Sequence, residues 1–386
     1  MNRDVYVIGV GMHRFTKEYV PIRDMYFTAG VEALKDAGID FRDVGYLYNG
    51  YIGGGMMEGT GYAKDLGLTG IPVVHVENAS ATGSSAFREA VWAVSGGASD
   101  VAMALGFDDM ARMGMARRKP APGVDKRVPS FENTLLPAGF FAMWAVRRMH
   151  EAGTTVETYA KIAAKNWNHG RHNPMAQRRA DHEVTAEEVL AADMVAYPHT
   201  AMMACASGAG AACAIVATEE WAKKHANGRP MVKVTASQLC SEVYTDGHIF
   251  MGAVVGPAYS TERTAKLAYE EAGIGPNDLS LVHVHDAFPI EELMYYELLG
   301  ICGPGEGDKL LHDGETQIGG RIPFSTDGGL IARGHPGGPT GLAQVWDATK
   351  QLRGEQGKIQ VEGAQNALVH MMGAGSVCAV HILQKA

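Results

Sequence analysis

A chain of 386 residues, 46% hydrophobic and 20% charged, is too long for one small core and has the make-up of a folded globular protein, which excludes a disordered chain. A formal net charge of -9 argues against a nucleic-acid-binding protein, and no apolar run approaches the roughly 20 residues that span a bilayer. The opening Met1-Asn2-Arg3-Asp4 lacks the profile of a signal peptide. Cys205, Cys213, Cys240, Cys302 and Cys378 lie scattered without metal-ligand spacing, so a cytoplasmic protein with buried thiols is expected.

Residues 5–11 read as an apolar strand and 25–37 as a helix closed by Gly38. Strands follow at 46–51 and 73–76, a helix at 84–94 and a buried strand at 101–105. A polar, proline-containing excursion runs from about 108 to 200, with helical stretches at 140–150 and 156–167, before apolar strand character resumes at 211–217. From about 230 the order restarts: strand 231–234, helix 265–272, strand 281–284, helix 290–299, short strand 322–324, helix 340–352 and closing strands 367–371 and 377–383. This alternation predicts a layered α/β fold of two pseudo-symmetric βαβαβ halves, 1–225 and 226–386, made by internal duplication. The turn at Ser80 in the first half then corresponds to the turn at His335 in the second, each leading into a central helix.

Neither Gly9-Val10-Gly11 nor Gly53-Gly54-Gly55 carries the rest of a phosphate-binding fingerprint, and tight turns are the expected use of both. The excursion is basic, with 13 Lys or Arg against 4 Asp or Glu between Ala111 and Ala180, including Arg117-Arg118-Lys119. Such a run is either a solvated face or a set of cations for the phosphates of an anionic cofactor. Met56, Met57, Met110, Met113, Met115 and Met143 could serve a bulky apolar pocket, although core packing explains most of them. His150, His169 and His172 share a region with no converging Cys or carboxylate pair, so no metal site is expected.

Four segments carry the chemistry. Val76-Glu77-Asn78-Ala79-Ser80-Ala81-Thr82-Gly83-Ser84-Ser85 sits where a strand gives way to a helix N-terminus, with unsatisfied backbone N–H groups aimed at its turn. His285-Asp286-Ala287-Phe288 lies at a strand end, and Gly334-His335-Pro336-Gly337-Gly338-Pro339-Thr340-Gly341 and His370-Met371-Met372-Gly373-Ala374-Gly375 are glycine-rich turns. One such histidine is most often structural; three at strand ends and turns point to a site.

With these motifs in this order over nearly its whole length, the chain resembles the thiolase superfamily, closest to the sterol-carrier-protein-type and archaeal acetyl-CoA acetyltransferase branch. The resemblance implies the thiolase fold, a layered α/β/α/β/α arrangement with the excursion in the first half. It also implies acyl-CoA thioesters as substrates with coenzyme A as substrate or product, and (retro-)Claisen chemistry on a β-ketoacyl-CoA. By motif, His335 is the base beside the nucleophile at position 80, His285 donates to the enolate oxygen, and His370 shuttles the proton or shapes its turn. Gly334 and Gly373 let backbone approach the cofactor, and Arg117, Arg118 and Lys119 are the cations expected at its phosphates.

Two residues depart from the pattern. Ser80 stands where thiolases carry a nucleophilic cysteine, and Ala287 stands where this branch carries its acid/base cysteine. A serine hydroxyl is far less acidic than a thiol and needs strong general-base help; a serine engineered in place of cysteine to trap a ligand reads the same. Two other functions stay open: a retro-aldolase that forms no covalent acyl-enzyme, and a catalytically degenerate scaffold subunit. Against the aldolase, thiolase-like steroid aldolases carry tyrosines at positions matching His285 and His335; Tyr295 and Tyr296 read as packing residues. The resemblance further implies a homodimeric core and a small OB-fold, zinc-ribbon partner, with no nucleic acid and no membrane.

Overall fold

The computed structural model describes residues 2–110, 137–244 and 259–386, with the backbone of 248–249 and 252–253. Nine strands form one mixed sheet: β1 (Val5–Thr16), β2 (Tyr46–Gly50), β3 (Val73–Val76), β4 (Val101–Asp109), β5 (Ala209–Thr218), β6 (Val232–Ser241), β7 (Leu281–His283), β8 (Asn366–Gly373) and β9 (Val377–Lys385). The helices that matter below are α1 (Ile22–Ala37), α2 (Thr82–Ser95), α3 (Pro137–Ala152), α4 (Val156–Arg171), α5 (Ser260–Ala272), α6 (Pro289–Leu298) and α7 (Thr340–Arg353).

The sheet order is β7-β8-β9-β6-β1-β5-β4-β2-β3. In the first part β2 runs parallel to β3 and β4, while β5 runs antiparallel to β4 and β1. The second part repeats this pattern: β7 is parallel to β8 and to a single bridge at Phe324, and β9 is antiparallel to β8 and β6. Phe324 is thus the counterpart of β3, reduced from the strand expected at 322–324. The two parts join edge to edge where Val5, Tyr6 and Val7 of β1 pair with Val234, Lys233 and Val232 of β6.

Strand alternation sorts the core into layers. Val101, Met103 and Leu105 of β4 face an outer cluster with Ala29 and Ala33 of α1, while Ala102 and Ala104 face an inner cluster with Phe87 and Val91 of α2 and Leu342 and Val345 of α7. Ala367 and Val369 of β8 close the inner cluster from the other side. Leu368 turns outward to α5, α6 and the excursion, with Ala265, Ile290, Trp144 and Tyr159. The result is α/β/α/β/α, with α2 and α7 between the two parts of the sheet.

Several elements differ from the sequence reading. β1 and β6 run well past 11 and 234, because β1 continues along β5 and β6 continues along β9. Gly9 and Gly11 lie inside β1 rather than in a turn: a Cβ at Gly9 would stand 2.3 Å from the Ala33 carbonyl oxygen, and one at Gly11 2.2 Å from that of Ala29. They let α1 lie directly on the strand. The helices of the excursion pack over the second part of the sheet, α4 reaching Asp286 and Glu292 through Asn166 Nδ2 at 2.8 and 2.9 Å. His169, on α4, is a buried structural residue, its Nδ1 3.2 Å from the Ser325 carbonyl oxygen and its Nε2 accepting from Ile318 N–H.

Candidate active site

β3 ends in a sharp turn in which Ala79 takes φ +46°, an unfavourable conformation for a residue with a Cβ. Local hydrogen bonds hold it: Ala79 N–H donates to Glu77 Oε1 at 2.6 Å, Asn78 N–H to Thr82 Oγ1 at 2.9 Å and Asn78 Nδ2 to Ser85 Oγ at 2.8 Å. Half-buried Ser80 stands next, two residues before α2 begins.

The second turn meets the first at the middle of the molecule. A Cβ at Gly83 would lie 2.6 Å from the Gly338 carbonyl oxygen, and one at Gly341 2.2 Å from Ser84 Oγ, so the N-terminal ends of α2 and α7 touch through glycine. Gly338 N–H also donates to Asp108, which accepts from Ile52 N–H at 3.1 Å; burial pushes the Asp108 carboxyl up to about 7. This packing puts Ser80 Oγ 3.0 Å from His335 Nε2.

The proton on His335 can be assigned. Thr340 Oγ1 donates to the Pro336 carbonyl oxygen, which can only accept, so its single proton is committed there. At 2.9 Å from His335 Nδ1 the same oxygen must accept, so Nδ1 carries the hydrogen and Nε2 presents a lone pair to the Ser80 hydroxyl. Burial, with the neighbouring His285 and Arg333, holds the His335 pKa well below its ordinary value. Ser80 therefore faces a neutral imidazole base.

His285 closes the group, its ring centroid 5.3 Å from that of His335 and nearly perpendicular to it. Its Nδ1 is 2.9 Å from Glu291 Oε1, an acceptor that fixes a hydrogen on that nitrogen. Glu291, from the first turn of α6, also accepts from Ala287 N–H at 3.0 Å and Tyr295 OH at 3.1 Å. Tyr295 thus holds the carboxylate that holds His285, more than the packing residue read from sequence.

His370 lies one layer behind. Its Nδ1 accepts from His285 N–H at 3.5 Å and its Nε2 is 3.2 Å from Thr261 Oγ1, while its ring lies 4.3 Å from that of Tyr295. Burial first, then His285, pushes it down to about 3. With both nitrogens engaged it positions His285 and its strand end. Of the two glycines expected at the cofactor, Gly373 lets β8 abut the turn that carries Ser80, a Cβ there falling 2.2 Å from the Asn78 carbonyl oxygen. Gly334, at φ +114°, packs beside Gln177 and Phe15. Arg117, Arg118 and Lys119 lie outside the described residues.

Of the described cysteines, Cys205 lies beside position 287, its N–H donating to the Ala287 carbonyl oxygen at 2.9 Å. Burial pushes Cys205 and Cys378 up to about 12, and Cys378 faces Thr261 behind His370. Among the described residues no group of three or more His, Cys, Asp or Glu is arranged to hold a metal ion, and no helix is long and apolar enough to cross a membrane.

Two family models cover this framework: "Thiolase, N-terminal domain" matches residues 5–186 and "Thiolase C-terminal domain-like" matches 246–385. The benzoylsuccinyl-CoA thiolase subunit BbsB of Thauera aromatica is 36% identical over 380 residues, covering 97% of this chain and 96% of its own. The chain belongs to the thiolase family. Sterol carrier protein 2 of Bos taurus is likewise 36% identical, over 97% of this thiolase and 71% of its own length. Among solved structures, the Ltp2-ChsH2(DUF35) aldolase shares the fold at a TM-score of 0.85, with 22% identity over 99% of this chain and 98% of its own. Sequence reasoning singled out Ser80, His285 and His335, which the structure brings together, but missed Glu291 and Thr340. The signals were present: a carboxylate at the start of the helix after the His285 strand, and a hydroxyl leading α7 five residues after His335.

Proposed function

We propose that this protein breaks or forms the carbon-carbon bond of a β-ketoacyl-CoA by Claisen chemistry, with Ser80 as acyl acceptor. The observation that carries this is the 3.0 Å contact of Ser80 Oγ with the lone pair of His335 Nε2. In the cleavage direction His335 takes the hydroxyl proton as Ser80 Oγ bonds to the β-carbonyl carbon. The Cα–Cβ bond then breaks, and its electron pair becomes a thioester enolate whose oxygen accepts from Nε2–H of His285, which in this step carries a hydrogen on both nitrogens with Nδ1–H held by Glu291. With Ala287 in place of a cysteine, the His335 imidazolium itself returns the proton to the enolate carbon. Free CoA thiol next gives its proton to His335 and attacks the acyl-serine, and Ser80 leaves with that proton.

A second reading is favoured by Ala287. A retro-aldol cleavage of a β-hydroxyacyl-CoA needs one base and one enolate donor, which His335 and His285 supply with no covalent step. Incubation with β-ketoacyl-CoA and β-hydroxyacyl-CoA thioesters, with and without free CoA, separates the two by product mass. CoA-dependent formation of two acyl-CoAs is expected, with a rise of tenfold or more in Ser80→Cys. CoA-independent release of an aldehyde or ketone, unchanged in that variant, rejects a covalent role for Ser80, and CoA binding without turnover of either thioester class supports the scaffold.

The halves are taken to divide near residues 225–226, and Arg117, Arg118 and Lys119 to meet the phosphates of CoA. A homodimeric core is proposed through β3, which ends the sheet, together with a second subunit of the OB-fold, zinc-ribbon type. The word subunit in the name of BbsB, and the two components named for the aldolase structure, support a heteromeric assembly.

A further inference from the structure

The buried histidines around the site each engage at least one ring nitrogen: His169 with Ser325, His283 with Asp347, His285 with Glu291, His370 with Thr261 and His381 with Ser237. His199 engages neither. It is fully buried, and Nδ1 and Nε2 both lack a hydrogen-bond partner among the described residues. Burial pushes it down to about 3, so it is neutral and offers one N–H donor and one lone pair. An apolar side chain would fill this place without the desolvation cost that an unpaired imidazole carries.

Its surroundings are aromatic and lead to the catalytic group. The His199 ring lies 4.9 Å from that of Phe288 and 5.8 Å from that of Tyr159. Phe288 follows His285 by three residues and meets Phe141 at 5.2 Å, and Phe141 meets Trp144 at 5.3 Å. The Trp144 indole N–H is itself buried without a partner. Arg148, the cation of this helix turned inward, is already engaged by Glu297 at 2.6 Å and Asp308 at 3.2 Å. A carboxylate here would go uncompensated, whereas a neutral oxygen would not.

Resting on the reading that an acyl-CoA lies against Ser80 and His285, we infer that His199 hydrogen-bonds a neutral oxygen function, hydroxyl or keto, carried on the acyl part of the substrate. The rings of Phe141, Phe288 and Trp144 take the hydrocarbon around it. The substrate class is therefore an apolar acyl group with an oxygen substituent beyond the reacting carbons.

The test is calorimetric binding of unreactive phenylalkyl-CoA thioethers, made in pairs with and without one hydroxyl or keto group along the chain or on the ring. At least one oxygenated member is expected to bind the wild-type protein tenfold more tightly than its plain partner. In His199→Leu, with a melting temperature equal to or above wild type, that preference falls to within twofold while the plain members bind undiminished. Equal binding of every pair to the wild type overturns the inference, and so does a preference that survives in His199→Leu or His199→Phe. If plain thioethers bind and only the preference is missing, the acyl-CoA reading stands alone; if no member binds, both fall.

Discussion

A hydroxyl has one proton, and at Thr340 its destination decides what His335 can do. Because that proton goes to the Pro336 carbonyl, Thr340 fixes the imidazole tautomer that gives Ser80 a base. This matters more here than beside a cysteine: a thiol ionises near 8.5 unaided, while a serine relies on the base at the moment of attack. Thr340→Val keeps the shape of the side chain but deprives Nδ1–H of its acceptor, at a cost of about 1–2 kcal/mol. Activity measured on the β-ketoacyl-CoA should lose roughly tenfold in kcat with KM little changed, and Thr340→Ser should restore it. Equal kcat in Thr340→Val and wild type would falsify the tautomer assignment.

At the scale of elements, the two central helices and the motif order were legible in the sequence because apolar periodicity and the turn residues agree. What was not legible was contact between distant elements. Gly83 and Gly338 announce a turn or a helix start locally, yet their use is to bring two helix ends together, which no window of sequence contains. The same holds for Gly9 and Gly11 under α1, for Glu291 reaching back to His285, and for His199 beside Phe288. One element bears on assembly. β3 is an edge strand with Val74 40% exposed, and Met57 at 64% and Trp92 at 55% are exposed in the stretches of sequence on either side of it; an unpaired edge invites pairing with a second copy. Light scattering at micromolar concentration should give twice the mass of the chain, and Val74→Lys should shift it towards the monomer by tenfold or more in dissociation constant with its circular dichroism intact. A variant that stays dimeric argues for another interface.

For the whole molecule, the buried histidines couple stability to pH. Burial pushes His169, His199, His370 and His381 down to about 3 and holds His335 well below its ordinary value, so all five stay neutral in the fold. In the unfolded chain they take up protons near 6.5. Below that pH the unfolded state binds more protons, so the contribution of each is full above 6.5 and is lost as pH falls, at about 1.4 kcal/mol per unit. Asp108, pushed up to about 7, and Asp286, raised by burial and Glu292, act the other way: they remain protonated in the fold while the unfolded chain ionises, so acidification towards 4 relieves them. Five groups against two leave a net loss on acidification. The melting temperature should therefore fall by roughly ten degrees or more between pH 7 and pH 5. His199→Leu, which removes one of the five, should flatten that slope by about one proton. A flat profile would mean that these imidazoles are hydrated or charged in the fold, and would remove the neutral base that Ser80 requires.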